Sequence, residues 1–439
     1  MNINTDVTLQ TRTNTHGDGV LASLKAECDR TFGKRDYLVI SDERIWKAAG
    51  TAMSAFMEAD PRPGLFLLPA SPAPYADDAL VARIRGIVEA SGALPLAFGS
   101  GTINDVVKRA AHELGLPYAC VPTAPSVDGF AAFGAAITVR GFKTTLECPA
   151  PALILADDAV LAAAPADLVA SGYGDLIGKL PAGADWIVAE ELGVEAIDPR
   201  LWDLVQPTAR SLLSRSAAIN AREPEAVAGL YEGLIASGLA MQAYRDSRPA
   251  SGAEHLLSHV WEMRHLGAPD SAPSHGFKVA VGSVVMCDFM RRLFAVDKDR
   301  LAASAASARA SLAERRRAAA ERLIEPGAFK DKTLEVVAQK TLSGTELGAR
   351  QSRAIANWEG MRRRVLEQLP GQAVLEKALR EAGCPSSPAD IKVDAASLES
   401  CILTAALIRK RYTVLDLAAE LGLLDEMAAA SARALAGKA

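Results

Sequence analysis

Of the six histidines in the chain, His255, His259, His265 and His275 fall in one short segment. In "SGAEHLLSHVWEM", His255 and His259 stand four apart, a spacing that puts both side chains on one face of a helix. His275 follows the Pro-Ser stop of "SAPSHGFKVAVG" and is expected to open the next helix. Upstream, "SGYGDLIGKLPAGADW" sets Asp175 among glycines, read as a helix start. One carboxylate with two imidazoles suits zinc, iron or nickel, and three protein ligands leave coordination positions open, as a catalytic metal requires. Each histidine alone has an ordinary explanation as a surface or satisfied core residue; their clustering favours the metal. No cysteine flanks the group, which argues against structural zinc. Spacing leaves open which of His255 and His259 is the ligand.

A second stretch, "FGSGTINDVVKRAAHELGLPYACVPTAPSVDG", offers a different chemistry. Gly99, Ser100 and Gly101 lie between an apolar strand and a helix that begins near Ile103. Amides at a helix start are unpaired and glycine allows close approach, so a pyrophosphate fits there. The pattern departs from G-x-G-x-x-G at Asn104, and an ordinary tight turn explains it equally well. Thr123 to Ser126 follow the next strand and bring polar groups to the same carboxyl edge. Asp128 reads either as a turn residue before Gly129 or as an acceptor for a substrate hydroxyl. Asp42, closing "LVISD", reads as a ribose acceptor or as a helix N-cap.

These groups need a scaffold, and the apolar pattern supplies one. "DYLVISD", "GLFLLPA", "LPLAFGS" and "LPYACVPT" read as strands alternating with helical segments "ERIWKAAGTAMSAFMEA", "ADDALVARIRGIVEAS" and "INDVVKRAAHELG", which means a parallel sheet. A hairpin and one more strand follow in "GAAITVRGFKTTLECPAPALILADD". From Pro165 onward the chain reads as helix. The expected architecture is α/β: a Rossmann-like dinucleotide-binding domain over residues 1–162 and an all-helical metal- and substrate-binding domain over 163–439. A length of 439 residues agrees, since one core rarely grows that large.

Composition excludes more than it identifies. Apolar residues at 49% and charged ones at 23% are ordinary globular usage. A net charge of −5 argues against a nucleic-acid-binding surface. Six cysteines without a C-x-x-C pair suggest free buried thiols in a reducing compartment. No apolar run approaches the roughly 20 residues of a membrane helix, and the polar first residues lack a signal sequence, so a cytoplasmic location is expected. The Ala/Arg-rich stretch 300–330 favours helix, with Arg315, Arg316 and Arg317 expected on a solvated face.

Together "GSGTINDVVKRAA", "VPTAPSVDGFAAFGAAI", "GFKTTL", "SGYGDLIGK", "SGAEHLLSHVWEM", "SHGFKVAVG" and "IRKRYTVLDL" resemble the sn-glycerol-1-phosphate dehydrogenase family, within the iron-containing alcohol dehydrogenase and dehydroquinate-synthase-like superfamily. The likeness spans most of the chain. It implies that Gly99, Ser100, Gly101, Thr102 and Ile103, with Thr123, Ala124, Pro125 and Ser126, wrap NAD(H) or NADP(H); Asp42, read above as a ribose acceptor, tilts the cofactor toward NAD without excluding NADP. It implies that Asp175, His255 and His275 bind one divalent metal (zinc, iron or nickel), that Asp128, Asp175 and His259 meet substrate, and that Asp175 and His259 are catalytic. Ala132 stands where relatives often carry a serine near the nicotinamide ribose. The implied reaction is hydride transfer between the nicotinamide and dihydroxyacetone phosphate, giving sn-glycerol 1-phosphate; the alternative is a related polyol or alcohol dehydrogenase acting on an unphosphorylated substrate. Lys143, Lys179 and Lys278 are candidates for the substrate phosphate. The expected partner is thus a small phosphorylated molecule, without nucleic acid or membrane span, and the apolar helices of the second half allow a homodimer.

Overall fold

Nearly continuous aliphatic runs form the central strands of the computed structural model, which describes residues 9–139, 142–267 and 272–436. The strands are β1 (Thr13–Gly17), β2 (Tyr37–Asp42), β3 (Gly64–Leu68), β4 (Leu94–Gly99), β5 (Ala119–Pro122), β6 (Ala135–Val139), β7 (Phe142–Leu146) and β8 (Leu153–Asp157). Six of them make one sheet in the order β1-β8-β5-β4-β2-β3, and every pairing in it is parallel. β6 and β7 form the expected antiparallel hairpin. β2, β4, β5 and β8 are buried along their whole length, as parallel strands covered on both faces must be. On this sheet Tyr37, Val39, Phe56, Leu96, Phe98, Val121, Leu153 and Leu155 pack into one apolar cluster, each worth about 1.5–3 kcal/mol for full burial of a large side chain.

Two elements differ from expectation. β1, "TNTHG", is too polar to read as a strand; it sits at the sheet's edge and pairs with β8 alone, where backbone hydrogen bonds rather than apolar side chains hold it. "ERIWKAAGTAMSAFMEA" is not one helix: it is helical over Glu43–Ala49, a 3-10 turn over Gly50–Met53, and helical again over Ser54–Met57.

Two compact units divide the chain, one of Met1–Leu176 with Arg215–Ser247 and the other of Ile177–Ser214 with Arg248–Ala439. This partition differs from a single cut at 162/163, because the Pro224–Tyr244 helix returns to the sheet-bearing unit. Among the described residues no strand follows Asp157. The second unit is helical and buries Trp186, Trp261 and Trp358. Its Ala/Arg-rich stretch forms the Leu312–Leu323 helix, and one expectation there fails. Arg315 and Arg317 are exposed, but Arg316 is 6% exposed, because a four-residue spacing sets it on the same face as Leu312 and Ala320. Its guanidinium donates to Asp416 Oδ1 at 2.9 Å, and Lys340 Nζ meets the same carboxylate at 2.6 Å. All six cysteines are buried. Among the described residues no helix is long and apolar enough to cross a membrane.

Candidate active site

The carboxyl ends of the central strands open on a cavity of about 720 Å³, lined by Asp42, Arg44, Ser100, Thr123, Ala124 and Asp157, among others. β4 delivers Ser100 as the N-cap of the Gly101–Glu113 helix. Both flanking glycines answer to packing: a Cβ on Gly99 would lie 2.7 Å from Ile103 Cβ, and one on Gly101 would lie 2.8 Å from Val127 Cγ2. Ile103 is 1% exposed, so its side chain is core, and what this helix start offers a nucleotide is its backbone amides, including that of Thr102. Asp42 does cap the next helix, accepting from Ile45 N at 2.8 Å, while bordering the cavity. Pro125 and Ser126 do not line this cavity. Ser171 Oγ donates to the Ser126 carbonyl at 3.3 Å, and a Cβ on Gly172 would stand 1.7 Å from Pro125 O.

That close approach sets the position of Asp175. The residue lies in the last turn of the Ala166–Ile177 helix, not at a helix start; the glycines that suggested a start sit inside the helix, where Gly172 lets it press against the loop after β5. Asp175 is fully buried, and its Oδ2 accepts from Asp128 N at 3.0 Å. Ser237 Oγ donates to Asp128 Oδ2 at 2.9 Å. The loop after Asp128 is held by Lys108, which sequence reasoning missed: its buried Nζ donates to the carbonyls of Gly129, Ala132 and Gly134 at 2.9, 2.9 and 3.0 Å. Burial lowers the Lys108 pKa, with Asp105 opposing. Ala132 thus engages through its carbonyl.

In the second unit, His255 and His259 lie on the Ala253–Met263 helix, and His275 opens the His275–Leu293 helix behind its Ser274 cap, as expected. Ring centroids of His255 and His275 are 5.5 Å apart, and that of His259 lies 6.0 Å from His275 and 6.5 Å from His255. Each ring turns Nδ1 to a carboxylate. His255 meets Glu254 Oε1 at 2.7 Å, His275 meets Glu262 Oε1 at 2.8 Å, and His259 meets Glu262 Oε2 at 3.3 Å. Burial opposes the charge of Glu262, yet its two histidine partners hold its pKa well below the usual carboxylate value. Desolvation lowers the pKa of His259 to about 4 against the pull of Glu262, leaving it neutral at pH 7. At the base of this helix, Asp185 accepts from Ala253 N at 2.6 Å and Val414 N at 2.5 Å; burial first, and Glu254 second, push its pKa up to about 7.

A carboxylate oxygen of Asp175 and one imidazole nitrogen each of His255 and His275 lie within 4.8 Å of one another. This donor set fits a divalent transition metal: hard and borderline ligands, three in number, with Nδ1 of each imidazole turned to a carboxylate and Nε2 left as the nitrogen that could ligate. Of the lysines proposed for a phosphate, Lys278 Nζ lies 3.9 Å from Glu262 Oε1, Lys179 is fully buried, and the Lys143 side chain lies outside the described residues. Glu262 was findable, being three residues past His259 on the same helical face. Glu254, Asp185 and Lys108 carry no spacing signal.

The family model of iron-containing alcohol dehydrogenase matches residues 15–165, the sheet-bearing part of the chain. The solved sulfoacetaldehyde reductase of Bifidobacterium kashiwanohense, in complex with NAD+, shares the fold at a TM-score of 0.62 and 13% identity, covering 99% of each chain. Two bacterial glycerol-1-phosphate dehydrogenases [NAD(P)+] are closer in sequence. That of Bacillus licheniformis is 37% identical over 58% of this chain and 64% of its own length, and that of Bacillus velezensis is 34% identical over 63% of this chain and 72% of its own. The chain belongs to the glycerol-1-phosphate dehydrogenase family.

Proposed function

We propose that this chain is a cytoplasmic, metal-dependent dehydrogenase that transfers hydride between NAD(P)H and dihydroxyacetone phosphate, forming sn-glycerol 1-phosphate. The carrying observation is the donor set of Asp175, His255 and His275 in a member of this family. Asp175, His255 and His275 would hold a divalent ion, which would supply Lewis acidity toward a ketone oxygen. Asp175 Oδ2 also fixes the Asp128 backbone. Ser237 orients the Asp128 carboxylate toward a role as acceptor for a substrate hydroxyl. His259 donates Nδ1–H to Glu262, which leaves Nε2 to accept the hydroxyl proton when the alcohol is oxidised and, in the reducing direction, to relay to the alkoxide a proton taken from solvent; its lowered pKa keeps it neutral between turnovers. The amides at the start of the Gly101–Glu113 helix, with Thr123 and Ala124, hold the dinucleotide phosphates, and Asp42 or Arg44 meets the adenosine ribose.

The test combines metal analysis of the purified protein with a substrate panel. Stoichiometric zinc, iron or nickel with NAD(P)H oxidation dependent on dihydroxyacetone phosphate is expected. Equal turnover of unphosphorylated dihydroxyacetone would shift the assignment to a polyol dehydrogenase.

A further inference from the structure

We infer that Glu262 is the positioning residue that sets the tautomer of two imidazoles at once, those of His259 and His275. The inference rests on the substrate and metal roles proposed for that pair. Glu262 sits three residues beyond His259 on the Ala253–Met263 helix, and its side chain is 9% exposed. Its two oxygens are divided between the rings: Oε1 lies 2.8 Å from His275 Nδ1 and Oε2 lies 3.3 Å from His259 Nδ1. An ionised carboxylate only accepts hydrogen bonds, so both Nδ1 atoms must carry a proton, and each ring in its neutral form presents its lone pair at Nε2. That tautomer is the one a metal ligand needs at His275 and a proton acceptor needs at His259. His255 is served separately, by Glu254 Oε1 at 2.7 Å. Glu262 is therefore shared by the two rings, whereas Glu254 Oε1 serves one ring and the Gly252 amide.

Glutamine at this position has nearly the same shape but one accepting oxygen and one donating NH2. With one terminal atom facing each ring, as here, it can accept from only one of the two Nδ1–H groups. Whichever ring faces the NH2 must move its proton to Nε2, the tautomer that neither ligates nor accepts through that atom.

The experiment is long-range 1H–15N NMR on 15N-histidine-labelled, metal-free protein, paired with competition titration of zinc alone. Wild-type protein should show His259 and His275 both as Nδ1–H. Glu262→Gln should move at least one of them to Nε2–H and weaken zinc by about 10- to 100-fold. Glu254→Gln should disturb His255 while leaving the His259 and His275 tautomers as they were. Wild-type tautomers and wild-type zinc affinity in Glu262→Gln would overturn the inference. If that variant does not fold, an Nε2–H signal for either ring in wild-type protein overturns it as well. Because the tautomers are read without metal or substrate, absence of dehydrogenase activity would sink the proposed reaction and leave this result standing.

Discussion

In the proposed site Asp175 would divide its work between the metal and the Asp128 amide, which its Oδ2 holds at 3.0 Å. Asp175→Asn keeps the shape and loses the charge, so zinc affinity and turnover should both collapse, turnover by more than about 100-fold, with the far-UV circular dichroism unchanged. Arg44 is a subtler case. Its side chain is exposed, borders the cavity and lies 3.9 Å from Asp42. A guanidinium there meets a 2′-phosphate, and charge-assisted hydrogen bonds of about 1.5–3 kcal/mol correspond to about 10- to 100-fold in affinity. Arg44→Ala should raise the KM for NADPH by that order and leave the KM for NADH nearly unchanged. Asp185 ties pH to stability. Its ordinary pKa of 3.8 rises to about 7 in the fold, from burial and then Glu254. Between those values the folded chain keeps a proton that the unfolded chain has released, so this group's contribution falls as pH rises through the window. Asp185→Asn loses one acceptor for the Ala253 and Val414 amides, but its stability deficit in urea melts should shrink as pH rises from about 4 to about 7; a deficit that grows would contradict the assignment.

At the scale of elements, the Ala166–Ile177 helix is the part with least tolerance. A methyl group on Gly172 would lie 1.7 Å from Pro125 O, a distance that no rotamer change relieves because both partners are backbone. Gly172→Ala must move the helix away from the loop after β5, taking Asp175 from the Asp128 amide. A misplacement of about 1 Å can cost about 100-fold in rate. We expect that loss together with a lower melting temperature, whereas Gly229→Ala, on a helix surface where a Cβ meets nothing within 4 Å, should leave both intact. The sequence shows why this helix was misread. Gly172 and Gly174 mimic a helix boundary, and only the packing reveals that one of them is there for close approach. The reverse holds for "AEHLLSHVWEM", where helical spacing alone orders His255, His259 and Glu262 on one face. The buried strands β2, β4, β5 and β8 were legible because both faces are apolar; β1 was not, because an edge strand needs only a neighbour's backbone. Arg316 hid for a similar reason: composition marks an arginine as solvated, and its ion partner Asp416 stands far along the chain.

For the whole molecule, the two compact units separate the nucleotide's candidate contacts from the histidines. Every residue lining the cavity at the strand ends belongs to the unit of Met1–Leu176 and Arg215–Ser247, and His255, His259 and His275 belong to the other. Stripping the metal should therefore act on one function and spare the other. Chelator-treated protein is expected to bind NADH with near wild-type affinity, followed by the fluorescence of the reduced nicotinamide, while its oxidation by dihydroxyacetone phosphate stops. Zinc, iron or nickel added back should restore turnover. A ligand present at about 100 times its dissociation constant stabilises a fold by about 2.7 kcal/mol, so the same addition should raise the temperature at which the histidine-bearing helices unfold. The two readouts fail in different ways. Loss of NADH binding on chelation would mean that the nucleotide site depends on the ion, although no histidine of the donor set lines that cavity; undiminished turnover in metal-free protein would mean that Asp175, His255 and His275 converge for structural reasons alone and that the ketone is polarised by a different donor.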